Sequence, residues 1–221
     1  MIEDVQDAHC DAPRCPLDGL HFSLRPPRPV RLVRSRSMVE NVHPVIETER
    51  LLLRRMTPDD VEPYCAMMAR EEVARFLTSD QKPQPYATAW RAFASMLGHW
   101  EIRGFGMFSM IEKASGDWVG RTGPWMPAGW PGLECGWGVA PGHWGKGYAP
   151  EAAIASIRWL FEKFADLDRV ISVIDPSNVN SQAVALKVGE TETDEEFLFD
   201  GKLRLKVWAA SRDEWMPRFG Q

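Results

Sequence analysis

"GVAPGHWGKGYAPEA", at residues 138–152, joins a predicted β-strand to a predicted helix, which we expect to begin at Pro150. The stretch contains four glycines and one lysine, Lys146. Glycines leave backbone N–H groups uncovered, and the N-terminus of a helix carries partial positive charge and unpaired donors. The pattern therefore fits two interpretations equally well: a site for a phosphate-bearing ligand, or a tight turn that needs glycine only for its dihedral angles.

Two common nucleotide-binding motifs do not fit this stretch. A Walker A loop requires Gly at the position of Ala140 and Ser or Thr at the position of Gly147. A dinucleotide-binding fingerprint requires a third glycine where Pro150 stands, together with alternating strand and helix units that the sequence lacks. The glycines therefore belong to neither of these phosphate loops.

The composition of the chain is that of a globular protein with one core. Its 221 residues are 44% hydrophobic and 26% charged, and the net charge is -5. Because an acidic protein offers no overall positive field, we expect no nucleic-acid partner. The four cysteines lack CxxC spacing, and no stretch is apolar enough to cross a bilayer. We therefore expect a cytoplasmic protein with no metal site and no membrane segment.

The N-terminal residues differ in character from the rest of the chain. We predict a disordered extension over residues 1–43 and a single domain over residues 44–217. The run "RPPRPVRLVRSRS" at residues 25–37 has five arginines and no acid, and it also suits a basic arm for an anionic partner. A further hypothesis is that translation starts at Met38, so that residues 1–37 are not translated.

Regular patterns from residue 45 onward predict a strand, two helices, three strands, a helix, a strand, a helix and two strands. The three consecutive strands are expected to be antiparallel. The later strand–helix–strand unit, which ends in the β-branched strand Arg169 to Ile174, implies a right-handed parallel crossover. The predicted fold is therefore of mixed α/β class.

The segment "WGKGYA", which follows "ECGWGVAP", resembles the acetyl-CoA signature of the GNAT superfamily of N-acyltransferases. That signature is Gln or Arg, two residues, Gly, one residue, then Gly or Ala, and Trp144, Gly147 and Ala149 occupy its three places. Downstream, "DPSNVNSQAVALKVG" resembles a segment of the branch that includes the ribosomal-protein N-terminal acetyltransferases. The resemblance covers residues 45–216. The sequence departs from the family at two positions: Trp144 stands where the signature has Gln or Arg, and Glu190 stands where relatives carry an aromatic or apolar residue.

The resemblance implies a single GNAT-like domain, in which a mostly antiparallel sheet holds a central pair of parallel strands splayed around CoA and helices cover both faces. It also implies that acetyl-CoA is the cosubstrate, with its pyrophosphate on the backbone amides of residues 145–149. Asn178 is expected to contact CoA, to cap the helix that follows it, or to do both. The expected cofactor-binding residues are Val139, Trp144, Gly145, Lys146, Gly147, Tyr148, Ala149 and Asn178.

The resemblance also suggests catalytic residues. In this branch a glutamate at the start of the fourth strand serves as base or holds a water, and Glu134 stands at that place. The alternative for Glu134 is a solvated charge at a strand end. Many relatives use a tyrosine after the fifth strand as the acid, but no tyrosine lies beyond Tyr148, so Ser181 is the expected substitute. Ser181 equally suits a structural helix cap.

The implied function is an N-acetyltransferase that moves an acetyl group from acetyl-CoA to a primary amine, as a monomer or homodimer. The alternative is a non-catalytic acyl-CoA-binding regulatory module with the same fold. The acceptor stays open between a protein N-terminus and a small-molecule amine. Four tryptophans are expected to wall a substrate groove, to shelter the pantetheine arm of CoA, or to pack beneath a Pro/Gly-rich loop: Trp125, Trp130, Trp137 and Trp144.

Overall fold

An eight-stranded sheet forms the centre of the computed structural model, which describes residues 44–220. The strands lie in the order β1-β2-β3-β4-β5-β6-β8-β7, and all neighbours are antiparallel except β5 and β6. The predicted extension over residues 1–43 and the alternative start at Met38 lie outside the described residues. The strands are β1 (Ile46–Glu47), β2 (Leu51–Arg55), β3 (Phe108–Glu112), β4 (Trp118–Trp125), β5 (Glu134–Val139), β6 (Arg169–Ile174), β7 (Thr191–Phe199) and β8 (Leu203–Ser211).

Six α-helices accompany this sheet in residues 44–220, and they pack on both of its faces. One core cluster joins α1 and α3 to Met107, just before β3, whereas another joins α4 and α6 to Cys135 of β5 and Val170 of β6. The predicted single domain of mixed α/β class is confirmed. The helices are α1 (Val61–Met68), α2 (Glu71–Leu77), α3 (Tyr86–Arg103), α4 (Tyr148–Lys163), α5 (Val179–Lys187) and α6 (Arg212–Phe219).

The sheet opens at its central parallel pair, as predicted. Among the described residues of β5 and β6, Glu134 and Ile171 alone are aligned as ladder partners. The Ile171 N–H donates to the Leu133 carbonyl at 3.0 Å, just before that point. By contrast, β6 pairs with β8 along its whole length. The β5 backbone beyond Glu134 is therefore left open toward α5 instead of being covered by β6.

The start of α4 differs from the prediction. The helix begins at Tyr148 instead of Pro150, because Gly147 takes the N-cap position with a left-handed φ of 81°. The sequence patterns also do not predict β1, α2 and α6. Each is short or weakly patterned: β1 has two residues, α2 has seven, and α6 contains Pro217 and buries only Trp215.

Candidate active site

A first cavity, of about 390 Å³, lies where β5 ends and α4 begins, with α5 on its other side. It gathers most of the residues that the sequence assigns to the cofactor. Lys146 is the exception, because it is not among the residues that line this cavity. The predicted residues that line it are Val139, Trp144, Gly145, Gly147, Tyr148, Ala149, Asn178 and Ser181.

The loop before α4 presents unpaired amides to the first cavity. Within the described part of the chain, the backbone N–H groups of residues 145–149 have no hydrogen-bond partner. Gly145 and Gly147 both have left-handed φ angles, 76° and 81°, which side chains other than glycine adopt at a cost. Pro150 has no N–H, so the donors end at Ala149. This arrangement fits a phosphate-bearing group, which would receive these hydrogen bonds together with the field of the helix N-terminus.

Arg50 fixes this loop from the start of β2. Its Nη1 donates to the Lys146 carbonyl at 2.7 Å, and its Nε donates to Glu151 of α4 at 2.7 Å. Glu151 also accepts from the Thr48 hydroxyl at 2.6 Å. The Lys146 ammonium itself lies 3.6 Å from Glu112 and 3.4 Å from His143 Nδ1. Lys146 thus contributes to this loop through its backbone, and Arg50 is a supporting residue that the sequence patterns did not reveal.

Trp144 occupies the place where the family signature has a polar side chain. Its side chain is half-exposed at the edge of the first cavity, and its indole N–H donates to the Val139 carbonyl at 2.7 Å. That carbonyl stands at the end of β5, where the parallel ladder has already stopped. Trp144 therefore satisfies the open strand end, while the amide donors of the loop remain available.

A second cavity, of about 700 Å³, lies on the face of the sheet covered by α1, α2 and α3. It shares Trp137, Asn178 and Ser181 with the first cavity, so the two adjoin at the start of α5. The four tryptophans that the sequence singles out line one or both cavities. Trp125 and Trp130 line the second, Trp144 the first, and Trp137 both, so these side chains wall the site.

Glu134 lies on the wall of the second cavity and is 7% exposed. Burial raises the pKa of this carboxyl to about 7, against the opposing effects of the Trp130 hydrogen bond and the Arg121 charge. The Trp130 indole N–H donates to Oε2 at 2.5 Å. Glu134 is therefore a buried group poised between its two protonation states near neutral pH, and not a solvated charge at a strand end.

Ser181 lies where the two cavities meet. Its oxygen accepts hydrogen bonds from the Asn178 side chain at 3.1 Å and from the Trp137 indole at 3.3 Å. Asn178 caps α5, since its side-chain oxygen accepts the Ser181 backbone N–H at 3.1 Å. Within residues 44–220 no acceptor takes the Ser181 hydroxyl proton. That proton is thus free to donate toward a ligand in either cavity.

Glu190 is the second buried carboxyl near this site, and it is 1% exposed. Ser172 of β6 lies 2.9 Å from Glu190 Oε1 and 2.9 Å from the Cys135 carbonyl, but its hydroxyl has one proton for these two acceptors. A protonated Glu190 resolves the conflict, because it donates to Ser172, which donates to Cys135. Burial raises the pKa of Glu190 to about 8, in agreement with this arrangement.

The unusual Glu190 does not disturb the end of α5. Gly189 has a left-handed φ of 86°, and the Glu190 N–H donates to the Ala185 carbonyl at 2.9 Å. Both features are typical of a glycine-terminated helix. A side chain at position 189 would also collide with Phe219, whose ring lies 2.6 Å from the position of a Cβ. Helix α5 therefore ends normally before Gly189, which directly precedes Glu190.

Other kinds of site find no support in the described residues. Residues 44–220 contain no group of three or more His, Cys, Asp or Glu side chains arranged to hold a metal ion. The helices of that same range include none with the length and apolarity needed to cross a membrane.

Comparisons with known proteins agree with this architecture. The family described as "Acetyltransferase (GNAT) domain" matches residues 50–191. An uncharacterized N-acetyltransferase of Bacillus licheniformis, p20, is 29% identical over 136 residues, which cover 61% of this chain and 75% of p20. A crystal structure of an acetyltransferase from Agrobacterium tumefaciens is 30% identical, covers 76% of this chain and 94% of its own, and has a TM-score of 0.66.

Two further solved structures share the fold at lower identity. Ribosomal-protein-S5-alanine acetyltransferase from Vibrio fischeri is 16% identical, with a TM-score of 0.58 over 78% of this chain and 98% of its own. Spermidine N-acetyltransferase from Vibrio cholerae, solved with CoA and spermine, is 14% identical, with a TM-score of 0.60 over 76% of this chain and 99% of its own. With its splayed parallel strands and the family match over most of its domain, the chain belongs to the GNAT acetyltransferase family.

Proposed function

We propose that the protein is an acetyl-CoA-dependent N-acetyltransferase that acts on a primary amine. The observation that carries this proposal is the position of Glu134, a buried carboxyl with its pKa raised to about 7, in a cavity that adjoins the amide-lined cavity at Ser181. The CoA-bound spermidine acetyltransferase and the ribosomal-protein acetyltransferase among the structural neighbours support an amine acceptor and CoA as the carrier. The cytoplasm is the proposed location, and the buried free thiols of Cys65 and Cys135 are compatible with it.

Different residues bind the cofactor, accept the proton and assist the leaving group in this reaction. The amides of residues 145–149 hold the pyrophosphate, and Asn178 borders the same cavity. When bound, acetyl-CoA supplies a thioester whose carbonyl carbon accepts the amine nitrogen. Glu134 takes the proton that this nitrogen loses, directly or through a water, and its pKa of about 7 makes the required carboxylate accessible at neutral pH. The Ser181 hydroxyl donates a hydrogen bond to the departing sulfur, because its oxygen already accepts two N–H groups, and it keeps its own proton. The proton that Glu134 takes from the nitrogen returns to solvent, and the thiolate of CoA takes one proton from solvent.

The base is tested by thiol release from acetyl-CoA with a panel of amines. We expect Glu134→Gln to lower kcat by roughly 10²- to 10⁴-fold, because the amide cannot accept the proton. Glu192→Gln removes an exposed carboxyl from β7 and is the matched control. CoA affinity, measured by calorimetry, is expected to be unchanged in both variants. Full activity of Glu134→Gln would exclude Glu134 as the base.

The pyrophosphate site is tested by Gly147→Glu, which adds bulk and negative charge to the amide loop. We expect CoA affinity to fall by at least about tenfold, since an anion is repelled and the left-handed backbone is strained. Gly116→Glu is the matched control: Gly116 has a φ of 79°, and a Cβ there meets nothing within 4 Å. Equal CoA affinities of the two variants would contradict the assignment.

The alternative function predicts a different pair of results. A non-catalytic acyl-CoA-binding module would bind CoA but release no thiol with any amine in the panel. It would also bind CoA equally well after the double substitution Glu134→Gln and Ser181→Ala. Amine-dependent thiol release by the wild-type chain, lost in that double variant, favours the acetyltransferase.

A further inference from the structure

The second cavity contains a cation that has no anionic partner. Arg121 of β4 lines this cavity, and its Nε is buried without a hydrogen-bond partner. Its Nη1 reaches the Met107 sulfur at 3.4 Å, a weak acceptor. No carboxylate in residues 44–220 forms an ion pair with it. Because a charge removed from water is normally paired, a ligand is the expected source of the missing anion.

Tyr64 of α1 brings a second donor to the same cavity. The residue is 3% exposed and lines the cavity, and its hydroxyl has no hydrogen-bond partner within the described range 44–220. Tyr64 and Arg121 thus line the same cavity. Burial raises the pKa of the Tyr64 hydroxyl, and the Arg121 charge partly opposes that effect. A guanidinium and a phenol O–H together make a good site for a carboxylate.

The sheet brings Arg121 and Glu134 to one face. Arg121 is paired with Gly138 of β5, and Trp125 is paired with Glu134. Arg121 and Trp125 are four residues apart on β4, so their side chains point to the same side of the sheet. The Arg121 charge is also among the causes that act on the pKa of Glu134. A small molecule in this cavity can therefore meet the base and the cation at once.

The other acids of this cavity are already engaged. Asp175 accepts from the Ser177 backbone N–H and hydroxyl, both at 2.7 Å, and from Gln81 at 3.1 Å. Asp200 accepts from the Ser79 hydroxyl at 2.9 Å. These donors are neutral and do not cancel the charge of a carboxylate, so the acids of the cavity suit the ammonium group of a ligand, whereas Arg121 suits an anionic group.

The remaining wall of the cavity is aromatic. Trp130 packs against Phe197 and Phe199 with ring centroids 4.9 and 5.6 Å apart, and Trp125 continues the same lining. Such a wall favours an apolar body on the ligand. The cavity thus combines a base, an anion site and an apolar surface.

We propose that the acceptor is an apolar amine that carries a carboxylate, an amino acid or a close analogue, and that Arg121 and Tyr64 bind this carboxylate while the amine faces Glu134. This inference rests on the proposed acetyl transfer. It makes Arg121 and Tyr64 specificity-determining residues. It predicts that a carboxylate-bearing amine is a better acceptor of this chain than a polyamine.

The test compares amines that differ only in the carboxylate. The probes are phenylalanine, leucine and ω-amino acids, each beside its carboxamide, with spermidine as the polycation. We expect wild-type kcat/KM to favour a carboxylate probe over its carboxamide. Arg121→Gln should lower kcat/KM for that carboxylate probe by about 10- to 100-fold and change the value for the carboxamide by less than about threefold. Tyr64→Phe, which keeps the packing, should act in the same direction with a smaller effect.

Arg75→Gln is the control, because Arg75 is an exposed cation of α2 that does not line the cavity. The proposal is overturned if wild type prefers carboxamides or spermidine, or if Arg121→Gln leaves the carboxylate-to-carboxamide ratio unchanged. Calorimetry on the CoA-loaded protein, together with thiol release, distinguishes a failure of the carboxylate site from a failure of the proposed acetyl transfer. If only spermidine supports thiol release, the carboxylate-bearing acceptor is refuted and acetyl transfer is retained. If amino acids bind in a way that depends on Arg121 but no thiol is released, the anion site is retained and acetyl transfer is refuted. No binding of any carboxylate probe refutes the anion site.

Discussion

At the scale of single residues, Glu134 acquires its properties mainly from burial, which the Trp130 ring and, more weakly, the Arg121 charge oppose. Desolvation favours the neutral acid, while the Trp130 indole N–H at 2.5 Å favours the carboxylate. The balance leaves the pKa at about 7, where a base is most useful at neutral pH. Trp130 is therefore expected to set the pH range of activity without contacting the reacting atoms.

Trp130→Phe should move the rising limb of the pH–rate profile to higher pH. The phenyl ring fills most of the same space but has no N–H, so the carboxylate loses a donor and the pKa of Glu134 rises further above its ordinary value. A hydrogen bond to a charged group is worth ~1.5–3 kcal/mol, which corresponds to a shift of about one to two pH units. Because the base acts when deprotonated, the loss of kcat/KM should be large at pH 6 and small at pH 9.

Trp125→Phe provides the comparison on the same wall. Trp125 stacks on His99 with centroids 4.6 Å apart and lines the same cavity, but it donates no hydrogen bond to Glu134. Its truncation should change KM without moving the midpoint of the pH profile. If both variants shift the midpoint equally, or if Trp130→Phe shifts it downward, the donor assigned to Trp130 is wrong.

At the scale of elements, the loop before α4 depends on a contact from far along the chain. Arg50 reaches across from the start of β2 and binds both the Lys146 carbonyl and Glu151. These bonds hold the glycine backbone in the conformation that turns its amides toward the cavity. They were not predictable from the motif, since residues 50 and 151 approach each other only when α4 lies against β2.

Arg50→Ala should weaken CoA binding more than it weakens the fold. The side chain is 43% exposed, so its ion pair adds little to stability, and the melting temperature should change by no more than a few degrees, about 1 kcal/mol. The loop, however, must then be ordered by the ligand, which we expect to raise the CoA Kd by roughly three- to tenfold. Calorimetric titration with CoA measures this change.

Arg204→Ala is the matched control for that titration. It also removes one positive charge and one ion pair, with Glu196, but it lies in β8 and does not line the first cavity. Its CoA affinity should equal that of wild type. A similar loss of affinity in both variants would point to general charge and not to the loop.

Strong periodicity made α3 and α4 predictable, and capping residues made α5 predictable. Sequence patterns fail to predict those features that depend on backbone angles or on contacts between elements. Helix α4 begins at Tyr148 and not at the predicted Pro150, because the left-handed φ of Gly147 sets the start of the helix. Helix propensities give no information about the φ angle of a single glycine. Trp90, Phe93 and Leu97 recur at helical spacing in α3, as expected for one buried face, yet Trp90 is 49% exposed among residues 44–220. Helix α2, whose Phe76 and Leu77 line both cavities, has too few residues to give a clear period.

At the scale of the whole molecule, the cofactor side of the site was predictable and the acceptor side was not. Gly145 and Gly147 belong to one continuous segment with a recognisable order, so sequence alone identified them. Arg121 stands between glycine and threonine in an ordinary strand, and Tyr64 lies within a helix whose pattern explains it as core. Their shared cavity exists only after the sheet and α1 are assembled, so no local pattern could reveal it.

The assembled core also makes the stability of the protein depend on pH in a definite direction. Burial raises the pKa of Glu134 to about 7 and that of Glu190 to about 8, from an ordinary value of 4.5. Between about pH 4.5 and pH 8 these two carboxyls therefore hold more protons in the folded chain than in the unfolded chain. The free energy of unfolding therefore falls as pH rises from about 4.5 to about 8. Glu112, whose pKa is lowered to about 2, acts in the opposite direction only in acid, below about pH 4.5.

Glu190→Gln should remove part of this alkaline loss, on the order of a few kcal/mol at most. The amide reproduces the protonated carboxyl, because its N–H can donate to Ser172 and keep the bond to the Cys135 carbonyl. Urea unfolding of the full chain should give equal stabilities for wild type and variant near pH 5 and a more stable variant near pH 9. Glu192→Gln, an exposed change on the same segment, should follow wild type throughout. A variant that loses stability as steeply as wild type between pH 5 and pH 9 would mean that Glu190 is not the proton-holding group of this core.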